Sequence, residues 1–145
     1  MMANWITIAL LVLGSALFYF AIHRGETNAW QRRSIRLAKR PPHDRLQAEI
    51  PEVPQDTVNR CLNLIGKTIG VEPKRLRLTD RLDGELSILD GQRIMVESDD
   101  TSECICDEIE DLLGSRPRAH WKDISDIVRE FWLIESHARQ GRTMR

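Results

Sequence analysis

The chain opens with a long apolar stretch, which is followed by amphipathic segments separated by turn residues. From Ala3 to Ile22 the sequence has no charged residue. A helix of that length measures roughly 30 Å, which matches the hydrocarbon core of a bilayer. Trp5 and Tyr19, near its two ends, suit the membrane–water interfaces. The pattern predicts a transmembrane helix over residues 1–22, with the lipid bilayer as the partner of residues 3–22.

The charges that follow this helix predict its orientation. The segment 24–45 holds seven basic and two acidic residues, and no basic residue precedes the helix. The positive-inside rule therefore places the N-terminus outside and residues 23–145 in the cytoplasm. The basic juxtamembrane segment 23–40 is interpreted either as a topology signal alone or as a contact with anionic lipid headgroups. The headgroup contacts would be made by Arg32, Arg33, Arg36, Lys39 and Arg40.

The next part of the chain is rich in proline. Residues 41–54 contain four prolines, and Pro41-Pro42 stops any helix that continues from the membrane. This composition predicts a stiff, extended linker rather than a folded element. The linker would join the anchor to a domain over residues 55–140, with a short tail at residues 141–145.

Three amphipathic helices are predicted in that domain. The first runs from about Gln55 to Ile69, with Asp56 as its N-cap, an apolar residue every three or four positions, and Gly70 as its stop. The second runs from about Asp100 to Leu113 and the last from about Asp123 to His137, with Gly141 ending it. Leu76, Leu78 and Leu82 are expected to hold the intervening loop on the core.

A β-hairpin is predicted between the first two of these helices. Two short apolar runs, 86–89 and 93–96, flank Asp90-Gly91, a dipeptide that favours a tight hairpin turn. Because two strands are not stable alone, the hairpin is expected to pack on the helices.

Charge is distributed unevenly along the chain. The net charge is −1, but residues 24–45 carry +5 and the residues from Leu46 onward carry −6. An acidic domain argues against nucleic acid as a partner and suits a basic protein. The stretch 97–111 holds eight carboxylates and no Lys or Arg. Its exposed members would form a partner-binding surface, for which the sequence predicts Glu103, Asp107, Glu110 and Asp111.

The chemistry-bearing residues do not assemble into a catalytic or metal-binding motif. Gly66-Lys67-Thr68 resembles the end of a phosphate-binding loop, but Cys61 stands where that loop needs glycine. Cys104 and Cys106 are two residues apart on a predicted helix and so point in different directions. The three cysteines are interpreted as reduced, small hydrophobic residues. The sequence offers no combination of nucleophile, base and orienting group. We therefore predict that the protein is not an enzyme and that it binds no metal and no cofactor.

One stretch resembles a known family. Leu62–Leu82 reads LNLIGKTIGVEPKRLRLTDRL, and its Ile69-Gly70-Val71 is similar to the end of the first helix of acyl carrier proteins. The acidic helix resembles that family's recognition helix, and residues 123–128 resemble the start of its last helix. The likeness covers about residues 57–131. Taken with the apolar N-terminal stretch and the predicted hairpin, it indicates a mostly α fold: one N-terminal transmembrane helix plus a small three-to-four-helix acyl-carrier-like bundle with an inserted β-hairpin.

The chain departs from the family at the position of its prosthetic group. Carrier proteins attach phosphopantetheine to the serine of an Asp-Ser-Leu motif, and this sequence has none. Ser87 and Ser98 are the serines that would take that role if the chain were a carrier.

Three functions are consistent with these observations. The first is a membrane-anchored, non-enzymatic docking or accessory module that presents its acidic helix to a basic protein partner in the cytoplasm. The second is a membrane-tethered acyl or peptidyl carrier protein with a phosphopantetheine arm. The third is a structural subunit of a membrane complex, in which the anchor makes the contacts.

Overall fold

The computed structural model describes residues 2–42, 50–87 and 101–143. Over these ranges the chain is mostly helical, which confirms the mostly α prediction. The α-helices are α1 (Met2–Ala38), α2 (Gln55–Ile69), α3 (Thr101–Leu113) and α4 (Ile124–Thr143), and a 3₁₀-helical turn spans Pro73–Arg75. None of the residues in these ranges belongs to a β-strand, and an isolated antiparallel bridge joins Arg81 to Asp123.

The structure contradicts the transmembrane helix predicted over residues 1–22. No helix in the described part of the chain is both long enough and apolar enough to cross a membrane. The large apolar side chains among residues 8–20 of α1 are exposed rather than packed in the core.

The structure also corrects the predicted hairpin where the two can be compared. Leu86 and Ser87, which begin the first predicted strand, are held in a turn: the N–H of Leu86 donates to Arg81 O at 3.0 Å and that of Ser87 to Gly84 O at 3.1 Å. Because both bonds run to residues only three to five positions earlier, the backbone at Leu86 and Ser87 does not form a strand. The rest of the predicted hairpin, residues 88–96, lies outside the described residues.

The predicted helix limits are close to the observed ones. The α2 range is confirmed, and Gly70 ends it with φ of +70°, the left-handed conformation that favours glycine. The predicted N-cap is wrong, because α2 begins one residue before Asp56 and Pro54 precedes it without a side-chain cap. At the start of α4, Asp123 Oδ1 accepts from the N–H of Asp126 at 3.2 Å. The helix α4 continues past Gly141 to Thr143, beyond its predicted end.

Helices α2, α3 and α4 pack on one another around a shared hydrophobic core. Ile65, Ile109 and Phe131 are fully buried there, one from each helix. Leu76, Leu78 and Leu82 are also buried, which confirms that the loop after α2 is held on the core.

The core also takes in residues that precede α2. Leu37, near the end of α1, is fully buried in the same cluster, and so are Ile50 and Val53 from the predicted linker. The last turns of α1 and the residues just before α2 are therefore structural parts of the bundle.

Polar side chains fix the end of α1 in place. Arg33, only 1% exposed, donates to Leu86 O at 3.0 Å and to Thr101 Oγ1 at 2.8 Å. Ser34 Oγ donates to Ile69 O at 3.1 Å, at the end of α2. Arg33 also stacks over the ring of Trp30 at 4.2 Å. These bonds join α1 to α2, to α3 and to the loop between them.

Gly66 is required by packing. The chain folds back after α2, and the N–H of Val71 donates to Gly66 O at 2.9 Å. A Cβ on Gly66 would lie 2.6 Å from Val71 O and 3.1 Å from Pro73 Cγ. The glycine of the Gly66-Lys67-Thr68 tripeptide therefore makes room for the loop that follows α2.

We expect Gly66→Ala to destabilise the protein even though alanine favours a helix by about 1 kcal/mol. The backbone must shift to admit the methyl group, and such overpacking costs roughly 1–3 kcal/mol. Urea denaturation followed by circular dichroism measures the change. Gly14→Ala is the matched control, because nothing lies within 4 Å of its added Cβ. An unchanged or higher denaturation midpoint for Gly66→Ala would contradict this explanation.

Candidate functional site

The exposed acidic face of α3 is the strongest candidate for a binding surface. Glu103, Asp107 and Glu110 follow one another at spacings of four and three residues, which places them on one side of the helix. The side chains of Glu103 and Asp107 are mostly exposed, and that of Glu110 is half-exposed. The structure therefore brings three of the four predicted site residues together.

A single guanidinium joins these three carboxylates. Arg116 Nη1 lies 2.7 Å from both Asp107 Oδ1 and Glu110 Oε2, and its Nη2 bonds to Glu103. The hydrogen bonds to Glu110 and Asp107 raise the pKa of Arg116, so the guanidinium stays charged. Arg116 neutralises one of the three charges and leaves the face negative.

Asp111, the fourth predicted site residue, is not one of the Arg116 partners. It is exposed and lines an open groove between α2, α3 and α4. The predicted surface is thus divided between the Arg116 face and the groove.

Within the described ranges, no group of three His, Cys, Asp or Glu side chains is arranged to hold a metal ion. Cys61 and Cys106 are buried and Cys104 is half-buried, and none of the three forms a disulfide. Burial raises the pKa of the Cys61 thiol, which keeps it protonated.

The five basic residues of the predicted headgroup contact have different surroundings. Arg33 is buried, as described above. Arg36 donates to Glu85 O at 3.0 Å and Ser87 O at 3.2 Å. Arg40 pairs with Asp80 at 2.7 Å. Arg32 and Lys39 are exposed. Three of the five thus bind other parts of this chain.

The two serines considered for a prosthetic group also differ. Ser87 is 6% exposed and follows a tight turn, so it is not presented at the surface as an attachment site would be. Ser98 lies outside the described residues.

A buried carboxylate on α4 forms a second polar cluster, beside the groove. Glu135 Oε2 accepts from Thr57 Oγ1 at 3.0 Å, and Oε1 lies 3.2 Å from Arg139 Nη2 and also pairs with Arg60. Burial raises the pKa of Glu135, whereas the hydrogen bonds from Arg60 and Thr57 and the charges of Arg60 and Arg139 lower it. Together the lowering effects outweigh the effect of burial. The net pKa lies below the ordinary value of 4.5.

We expect this cluster to make stability depend on pH. Because the pKa of Glu135 is lower in the folded state, its contribution is present above the unfolded-state pKa and is lost as pH falls through the folded-state pKa. Glu135→Gln should therefore lower the denaturation midpoint at pH 7, and the difference from the wild type should shrink below pH 4.5. Denaturation curves across that range test this, and a difference that is independent of pH would contradict it.

Arg116 and the Glu135 cluster are functional or structural residues that the sequence reasoning missed. Arg116 lies two residues beyond Gly114, whose φ of +71° ends α3, and an arginine just beyond an acidic helix is the signal that the sequence offers. Thr57 and Arg60 lie one turn apart on α2, but Glu135 is 78 residues beyond Thr57, and no local pattern joins it to them.

No protein-family model, no curated protein and no solved structure matches this chain. The resemblance to acyl carrier proteins stays a prediction, carried by the residues quoted above.

Proposed function

We propose that this chain is a non-enzymatic docking module whose acidic α3 face binds a basic protein partner. The observation that supports the proposal is the placement of Glu103, Asp107 and Glu110 on one exposed face, with Arg116 as their shared counterion. Three carboxylates against one guanidinium leave an excess negative field at that face. Such a field speeds and orients association with a basic surface.

The test is charge reversal of two residues on this face. We expect Asp107→Lys with Glu110→Lys to weaken binding of a labelled oligolysine peptide to the full chain by roughly tenfold, mainly through the association rate. Wild-type binding should also weaken as salt is raised, since exposed charges are screened over about 8 Å at physiological ionic strength. Stopped-flow fluorescence measures the rate and the melting temperature checks the fold.

Glu52→Lys with Glu72→Lys is the matched control. These carboxylates are also exposed and also pair with arginines, Arg129 and Arg75, and the change in net charge is the same. The control should bind oligolysine nearly as the wild type does. If both double variants lose binding equally, the peptide senses only net charge and the proposal fails.

The carrier hypothesis makes a different prediction for the same protein. A carrier would gain the mass of a phosphopantetheine group when it is incubated with coenzyme A and a phosphopantetheinyl transferase. Intact-mass spectrometry reads this directly, and an added group at Ser87 or Ser98 would overturn the docking proposal in favour of the carrier.

A further inference from the structure

The groove between α2, α3 and α4 combines apolar and charged side chains. It has a volume of about 770 Å³, and its apolar lining comes from Leu64, Leu112, Leu113 and Ala138. Leu112 is 59% exposed, whereas Leu62 and Leu64 on the facing helix α2 are buried. A partner that covers Leu112 removes this apolar surface from water, which favours binding.

The two sides of the groove carry opposite charge. The α3 side presents Glu108 and Asp111, and the α2 and α4 side presents Arg60, Lys67 and Arg139 around the buried Glu135. Lys67 Nζ and Glu108 Oε2 lie 3.7 Å apart across it. Acidic and basic residues are equal in number, so the groove is neutral although the chain from Leu46 onward is acidic.

We propose that this groove is a self-association surface and that its occupant is a second copy of this chain. An isologous interface needs a patch that is complementary to itself. A two-fold axis running along the groove places the acidic α3 side of one copy over the basic α2 and α4 side of the other. Leu112 of each copy then enters the apolar part of the partner groove.

Charge explains why the copies meet here. Two acidic domains repel each other over most of their surfaces, and repulsion is smallest where a patch is neutral and oppositely charged sides face each other. A partner of single sign would leave one side of the groove without a complement. A second copy supplies both signs at matching positions.

This surface is separate from the proposed docking face. Leu112 is five residues beyond Asp107, which turns it by about 140° around α3. Self-association therefore leaves the Arg116 face accessible, and the two proposals fail independently.

The mass of the full chain tests the proposal. Measurements are made by sedimentation velocity in a non-ionic detergent, which covers the exposed apolar side chains of residues 8–20. We expect a concentration-dependent species of twice the 16.8 kDa chain mass. Leu112→Asp should weaken the dimer at least tenfold. Leu133→Asp is the matched control, because Leu133 is 50% exposed and does not line the groove.

A charge exchange across the groove adds a second test. Lys67→Glu alone and Glu108→Lys alone should each weaken the dimer, and the double exchange should restore it, because the symmetric contact recovers opposite charges. Melting temperatures should change little, since both side chains are exposed. A monomer at all concentrations, or equal effects of Leu112→Asp and Leu133→Asp, would overturn the proposal.

Discussion

Replacing Leu37 with alanine is expected to cost about 2–5 kcal/mol of folding free energy. Leu37 is fully buried in the core formed with α2, α3 and α4, although it belongs to α1. Its removal leaves a cavity at the junction between α1 and the bundle. Urea denaturation of the full chain, followed by tryptophan fluorescence, measures the loss.

Ile35→Ala is the matched control for Leu37. Ile35 lies on the same helix two residues earlier and is 49% exposed, so its truncation leaves no cavity and should change stability little. A Leu37→Ala protein as stable as Ile35→Ala would show that α1 contributes nothing to the bundle. The same result would favour independent folding of residues 55–140, as the sequence predicts.

The second large effect is expected for Asp80→Ala, at about 3 kcal/mol. Asp80 is nearly fully buried, and its carboxylate accepts from Arg40 at 2.7 Å and from the N–H of Arg77 at 2.9 Å. Alanine removes both acceptors and leaves the Arg77 N–H without this partner. The main-chain carbonyl of Asp80 also accepts from the N–H of Ile124 at 3.1 Å. Disorder at Asp80 would therefore reach the start of α4.

Asp83→Ala provides the comparison for Asp80. Asp83 also pairs with an arginine, Arg81, through bonds of 2.9 and 2.8 Å, but both side chains are exposed. Exposed ion pairs contribute little to stability, so the melting temperature should hardly move. Equal losses for the two aspartates would contradict the role given to burial.

The helical elements could be predicted from the sequence because their signals are local. The apolar residues of α2, Val58 to Ile69, repeat every three or four positions, and Gly70 supplies a stop that few other residues allow. The buried stripe of α3 was found in the same way. Its exposed carboxylates followed from that stripe, because residues opposite a buried face lie at the surface.

The docking of α1 could not be predicted in the same way, because its signals are not local. Arg33, Arg36 and Arg40 are charged, and charged side chains are normally expected at the surface. Their partners are main-chain oxygens of residues 85–87 and the carboxylate of Asp80, more than 35 residues away. The composition of the basic segment is the same whether it faces lipid or protein.

Helix α1 also changes what the N-terminal half of the chain can do mechanically. It is one helix from Met2 to Ala38, and its last turns are held in the core by Leu37 and by the bonds of Arg33 and Ser34. Helix α1 is therefore a rigid connection to the bundle rather than a flexible linker. At 1.5 Å per residue, the exposed Phe20 stands about 26 Å from Leu37 along the helix. A surface that binds the exposed apolar residues of α1 would set the distance between that surface and the bundle. It would also set the direction in which the acidic face of α3 points.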